Sequence, residues 1–344
     1  MVLKTVGYLA IIALLLSVVL QRPVKDADFL WNNYQKRLST VLGHEIKLQP
    51  PYFKRFNSAL KEAPEKKQTI SVLDSFKLNK CHLGQLIANQ NSILGKVALS
   101  SQQLIYHVKF IQLAPACIKA LSIEHPMLAN QLREELIRKK QRAYAQFNTF
   151  INSEKTIAAL LFSSHESLEF DATLKGINPL ENALTRLLIV KTAIKQQRWE
   201  DADIDELEKH LSLLHQHSFL KKYMRSLVIN MHQLKMTNDF LEQYSNLVQC
   251  QTGRSNQKLP ILKNVFNKYY LADIQAYLSR MNSVHFRLNK LLIALFEDTQ
   301  YQQLIEHYFS DDPTALPATL ILEIKRHVKW WQAVQNNCGS LRPE

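Results

Sequence analysis

His210, His215 and His217 form a local concentration of imidazoles in the 344-residue chain, and their spacing denies them a common ion. On a helix, residues 215 and 217 point about 200° apart, and 210 and 217 stand two turns apart. Asp201-Ala-Asp203-Ile-Asp205 starts like a calcium loop, but Glu206 takes the position that needs glycine, and Ser212 stands where a bidentate Glu should close it. Acids at a helix start are accounted for by the helix dipole. Cys81-His82 has the residue types of a thiol–imidazole pair, yet helical neighbours diverge by about 100°. The chain has no G-x-S-x-G elbow, no H-E-x-x-H and no glycine-rich phosphate loop. These readings predict no metal, no cofactor and no catalytic residue, and leave a binding role as the expectation. An acid–base pair converging from distant segments would leave no local trace, so an enzyme is the alternative.

Arg138-Lys139-Lys140-Gln141-Arg142 is the densest basic cluster. Consecutive residues wrap around a helix, so the run predicts either a solvated face or a contact with anionic headgroups. Residues 51–150 carry 15 basic and 6 acidic groups, whereas residues 151–250 carry 11 and 13; the net charge of the chain is +13. Such a field draws a protein towards polyanions.

The four cysteines are Cys81, Cys117, Cys250 and Cys338, which allow three connectivities. No C-x-x-C pair and no zinc spacing is present. In an oxidising compartment we expect Cys81–Cys117 and Cys250–Cys338, each closing a loop within one half of the chain. Reduced cysteines packed as small apolar groups are the alternative.

With only seven glycines and few alternating stretches, helical periodicity dominates, and the fold class expected is mainly α. A helix is predicted over Asp26–Leu42, closed by Gly43, and another from the capping box at Ser71–Asp74 towards Ala88. Asn89–Gly95 reads as a turn. A helix opens at Ser100, with Pro115 predicting a kink or stop. Pro126 begins a helix to about Phe147, and Phe150–Phe162 is a further candidate. Asn178-Pro179-Leu180-Glu181 has the order of an N-cap, a first-turn proline and an N3 acid. Periodicity returns from Ile261 to Phe309 with a break near Tyr269–Asp273, and Ala318–Gln335 closes the chain. A multi-helix bundle in two packed subdomains, 26–162 and 178–338, is expected.

Residues 1–22 stand apart. Val6–Leu20 is an unbroken apolar run between Lys4 and Arg22, about 22 Å long as a helix. It lacks small residues at a cleavage site and predicts an uncleaved signal-anchor in the inner membrane, with a cleaved signal peptide or a buried helix as alternatives. The anchor reading places the bulk of the chain in the periplasm. The available polyanions there are lipid headgroups and cell-wall polymers, not nucleic acid.

Four segments together carry a family resemblance: Cys81–Val97 (CHLGQLIANQNSILGKV), Ser101–Tyr106 with Leu113–Cys117, Asn264–Tyr270, and His327–Trp331 with Cys338. The chain resembles a proteobacterial family, domain of unknown function 3080, over nearly all its length after the leader. The resemblance implies an envelope protein, often with a lipoprotein-type signal, and no established activity. No cysteine precedes Cys81, so the hydrophobic run replaces a lipid as the tether. All four cysteines lie in or beside the matching segments. Asn91-Ser92-x-Leu94-Gly95 becomes the segment to watch for binding: a bridge from Cys81 to Cys117 would hold it rigidly, although Asn and Gly at a helix exit also simply make a turn.

Overall fold

The computed structural model describes residues 25–57, 78, 81–96, 99–162, 164–169, 176–250 and 256–338. The apolar run Val6–Leu20 and the helix expected from Ser71 lie outside them. The described residues are almost wholly helical, with a single antiparallel bridge between Asp26 and Glu169.

Helix α1 (Ala27–Leu42) is bounded by local chemistry. The Asp26 carboxylate accepts the Phe29 amide at 3.0 Å, and Gly43 closes the helix at φ 76°, a left-handed value that favours glycine. Its buried face is Leu30, Trp31, Tyr34, Gln35, Leu38 and Leu42, at helical spacing. Helix α2 (His82–Asn91) and the single turn α3 (Ile93–Lys96) lead to α4 (Ser100–Leu121), which pairs with α5 (Pro126–Ser153) in an antiparallel hairpin. Pro115 neither stops nor divides α4. Its ring lies on the exposed side, and burial of Ile111, Ala114, Cys117 and Ile118 holds both flanks in line.

The short α6 (Lys155–Leu161) leads to α7 (Ile177–Lys195). Asn178 is not the N-cap of α7. Gly176 at φ 84° is, and Pro179 falls in the first turn, where its missing N–H has no intrahelical partner to lose. Then follow α8 (Leu207–His215) and α9 (Phe219–Gln243). The segment expected to break near Tyr269–Asp273 instead continues as one helical rod: α10 (Lys258–Val265), a π-helix (Phe266–Gln275) and α11 (Ala276–Phe296). Phe266, Tyr270 and Ile274 are buried at intervals of four along the π-helix, and Leu278 continues the interval in α11. Helices α12 (Gln302–Phe309) and α13 (Leu316–Cys338) complete the fold.

Helix α1 sits by sequence in the N-terminal half, yet it packs on α9, α10 and the π-helix of the C-terminal half. Trp31 meets Asn230 and Gln35 meets Gln233 and Thr237, so α1 and α9 run in the same direction. Parallel neighbours need long connections, which is why α1 lies beside helices some 200 residues away. One contiguous apolar core extends from Ala27 to Val334.

Candidate functional site

The largest assembly of polar chemistry is buried where α1, α9, the π-helix and α13 meet. Ser226, Asn230, Gln233 and Thr237 recur at intervals of four, three and four on α9, all buried, and form a polar seam facing α1. Trp31 donates its indole N–H to Asn230 Oδ1 at 2.8 Å, and Gln35 Nε2 donates to Gln233 Oε1 at 2.8 Å and Thr237 Oγ1 at 3.1 Å. Farther along, His327 of α13 lies between Tyr34, Trp331 and Asn238, with the Tyr270 ring 4.2 Å from its own.

The proton positions around His327 follow from its partners. A tryptophan N–H can only donate, so His327 Nε2, 3.2 Å from Trp331 Nε1, is the acceptor nitrogen. The Tyr34 hydroxyl donates to the same atom at 3.1 Å. His327 Nδ1 therefore carries the hydrogen and donates it to Asn238 Oδ1 at 2.7 Å. Asn238 Nδ2 completes the set by donating to the backbone carbonyl and the carboxylate of Glu323. Burial lowers the His327 pKa to about 3, so the ring is neutral near pH 7, and burial raises the Tyr34 hydroxyl well above its ordinary value. An amide stands where a carboxylate would stabilise an imidazolium. Nε2 is already shared by two donors, and His327 and Tyr34 are 0% exposed. The arrangement is built to lock three helices together and has no free base to offer a substrate.

The residues singled out from sequence fall elsewhere. Asn91 ends α2, and Ser92 Oγ donates to the Asn89 carbonyl at 2.7 Å while accepting the Gly95 amide at 3.1 Å. A Cβ on Gly95 would strike the Asn89 and Gln90 carbonyls, so glycine is required by this close approach. Ser92 and Gly95 thus spend their hydrogen bonds closing a turn, and the Ile93 side chain beside them faces solvent.

The basic cluster does not act as one patch. Arg138 pairs with Glu135. Lys139 turns inward over the Tyr106 and Phe110 rings, at 4.8 and 5.3 Å, and its carbonyl lies 2.8 Å from His107 Nε2. Burial, with Lys139 nearby, lowers the His107 pKa to about 4. Arg142 is exposed and Lys140 half-buried, and neither shows an ion pair among the described residues.

Cys81–Cys117 and Cys250–Cys338 are both disulfide-bonded, and no cysteine is free. The first staples α2 to α4; the second ties the end of α13 to the segment after α9. Among the described residues no three His, Cys, Asp or Glu side chains are placed to hold a metal ion.

Sequence reasoning missed two features. The polar seam has a signal, polar residues at heptad-like spacing on an otherwise apolar helix. Buried Lys191 has none. Its ammonium caps the C-terminus of α11, donating to the carbonyls of Ala294, Leu295 and Glu297 at 2.9, 3.1 and 2.7 Å. Burial lowers its pKa. Over the same helix end lies an open groove of about 440 Å³, lined by Lys290, Ile293, Glu297, Gln302, Ile305 and Glu306 among others. Glu297 is paired with Lys195, and Glu306 accepts from Gln302 Nε2.

No curated protein and no solved structure matches this chain. A family model does, over residues 31–342, which takes in every described helix except the first turn of α1. The chain belongs to the family described as protein of unknown function DUF3080.

Proposed function

We propose that the chain is a membrane-tethered periplasmic protein that acts as a non-catalytic binding or scaffolding component of the cell envelope. The observation that carries this reading is the complete pairing of the four cysteines. Disulfides persist in oxidising compartments, and the apolar run Val6–Leu20 is the device that would deliver the chain to one. The binding role is supported by the saturation and burial of the His327–Tyr34 assembly, which holds no free base open to a substrate.

Fusions made after Asp28, comparing alkaline phosphatase with a cytosolic fluorophore, test the location. Alkylation without reductant tests the pairing. Active phosphatase and no alkylated thiol are expected; a fluorescent fusion, or four reactive thiols, would refute the reading. Crosslinking in intact cells with mass spectrometry then identifies what the protein holds.

The second reading, an envelope hydrolase or transferase, draws on the groove, which brings Lys290, Glu297 and Glu306 together from two helices. It predicts that Glu306→Gln abolishes a turnover while leaving the fold unchanged. The ion pair of Glu297 with Lys195 and the bond from Gln302 to Glu306 favour the binding reading.

A further inference from the structure

The rod Lys258–Phe296 holds six Lys or Arg residues and one acid, Asp273. At 39 residues it is about 58 Å long. Lys258 reaches the Leu42 carbonyl, and Arg287 is engaged by Glu181 and Asn178. Lys263, Lys268 and Lys290 remain exposed along its outer side and form no ion pair with the described residues. Arg37 of α1 and Lys268 both lie over the Tyr269 ring, at 5.5 and 5.6 Å from its centre. Large apolar side chains stand among these cations: Leu271 is 39% exposed and Phe286 68%. Basic residues interleaved with a half-buried Tyr and exposed Leu and Phe are the composition of a helix that lies at a membrane surface. Near Lys290 the acids Glu297 and Glu306 make the surface mixed, and Arg287 is paired with Glu181, so the positive stretch is that of Arg37, Lys263 and Lys268.

The tether geometry keeps the bilayer close to the rod. The start of α1 is level with the middle of the rod: Asp26 bridges Glu169, and Tyr277, at the rod's midpoint, donates its hydroxyl to the adjacent Leu168 carbonyl at 3.1 Å. Between Leu20 and Asp26 the chain can span at most about 20 Å. A bilayer holding Val6–Leu20 is therefore within about 20 Å of Asp26, which is level with the midpoint of a rod nearly three times that length.

We propose that the outer side of this rod, centred on Arg37, Lys263, Lys268, Tyr269 and Leu271, is seated on an anionic phospholipid leaflet, so that the long axis lies along the membrane. The proposal rests on the tethered reading above and adds the face and the lipid chemistry. The opposing apolar candidate is the tip of the α4–α5 hairpin, where Ile123 is 91% exposed; Glu124 beside it and only Lys119 nearby make it the poorer match to an anionic surface.

The test uses the full chain reconstituted in phosphatidylcholine vesicles, with and without about one-third phosphatidylglycerol. An environment-sensitive fluorophore is placed at Leu271→Cys, Phe286→Cys or Ile123→Cys. We expect the labels at 271 and 286 to shift to the blue and to be quenched by lipid-borne nitroxide only with phosphatidylglycerol, and to return to water at about 1 M salt, where screening is nearly complete. Each cation reversed, in Lys263→Glu or Lys268→Glu, should lower the docked population at least fivefold, given the usual strength of a lysine near an anionic leaflet. Floated protein with wet labels at 271 and 286 overturns the docking face and leaves the tether standing. A quenched label at 123 in their place assigns the contact to the hairpin and overturns it too. Failure to float with either lipid refutes the tether itself, and the docking face with it.

Discussion

His327 offers the sharpest test of the buried network. In His327→Phe an apolar ring fills the space, and Tyr34 Oη, Trp331 Nε1 and Asn238 Oδ1 each lose a partner inside the core. An orphaned buried polar group costs about 1–3 kcal/mol, so the three together should cost the variant about 3–9 kcal/mol at pH 7.5. The penalty should then shrink on acidification. Burial depresses the His327 pKa to about 3, against about 6.5 for an unfolded histidine. Between those values the unfolded chain binds the proton and the native chain does not. Stability from this residue is complete above about pH 6.5 and falls away as pH drops towards 3. The loss is about 1.4 kcal/mol at pH 5.5 and about 3 kcal/mol at pH 4. His107, depressed to about 4, adds a slope of the same sign to both proteins and cancels in the difference. Urea unfolding of both proteins at pH 7.5, 5.5 and 4, at fixed ionic strength, measures that difference. A gap between wild type and variant that stays constant from pH 7.5 to 4 would refute the assignment of a neutral, desolvated imidazole.

Three further outcomes follow from packing. Lys191→Met strips the cap from three carbonyls at the end of α11 and should cost about 2–4 kcal/mol in denaturant unfolding, whereas Lys195→Met, exposed and paired only with Glu297, should leave the midpoint unchanged. Gly84→Ala should lower the melting temperature and expose α2 to protease, because a Cβ there would clash with the Leu78 backbone; the overpacking is worth about 1–3 kcal/mol. Cys250→Ser with Cys338→Ser opens a bridge spanning 88 residues and should cost about 4 kcal/mol by loop entropy, read as a drop in thermal midpoint.

Much of the helix inventory is legible in the residues because helix ends are solved locally. Asp26 and Gly43 bound α1 where their types say they should, and Pro126 opens α5. The misreadings are also local. Pro115 looks like a stop until its exposed position is known, and Asn178-Pro179 looks like a start although Gly176 two residues earlier turns the chain. The segment near Tyr269–Asp273 reads as a break, and the structure continues it as a π-helix. The basic run 138–142 shows the limit of the approach for sites. Composition cannot say that Lys139 spends its charge on two aromatic rings.

The amino-acid sequence by itself determined the all-helical class and many helix ends, since these depend on neighbours a few residues away; the cysteines it left among three connectivities, and the fold selects Cys81–Cys117 and Cys250–Cys338. Tertiary structure alone decided that α1 lies against α9 and α13, that His327 is sealed between Tyr34, Trp331 and Asn238, and that Lys191 caps a helix more than a hundred residues away. Apart from His327 and Trp331, one turn apart on α13, those pairings join residues 89 to 293 positions apart, and the free energy of such contacts exists only once the core has excluded water from them.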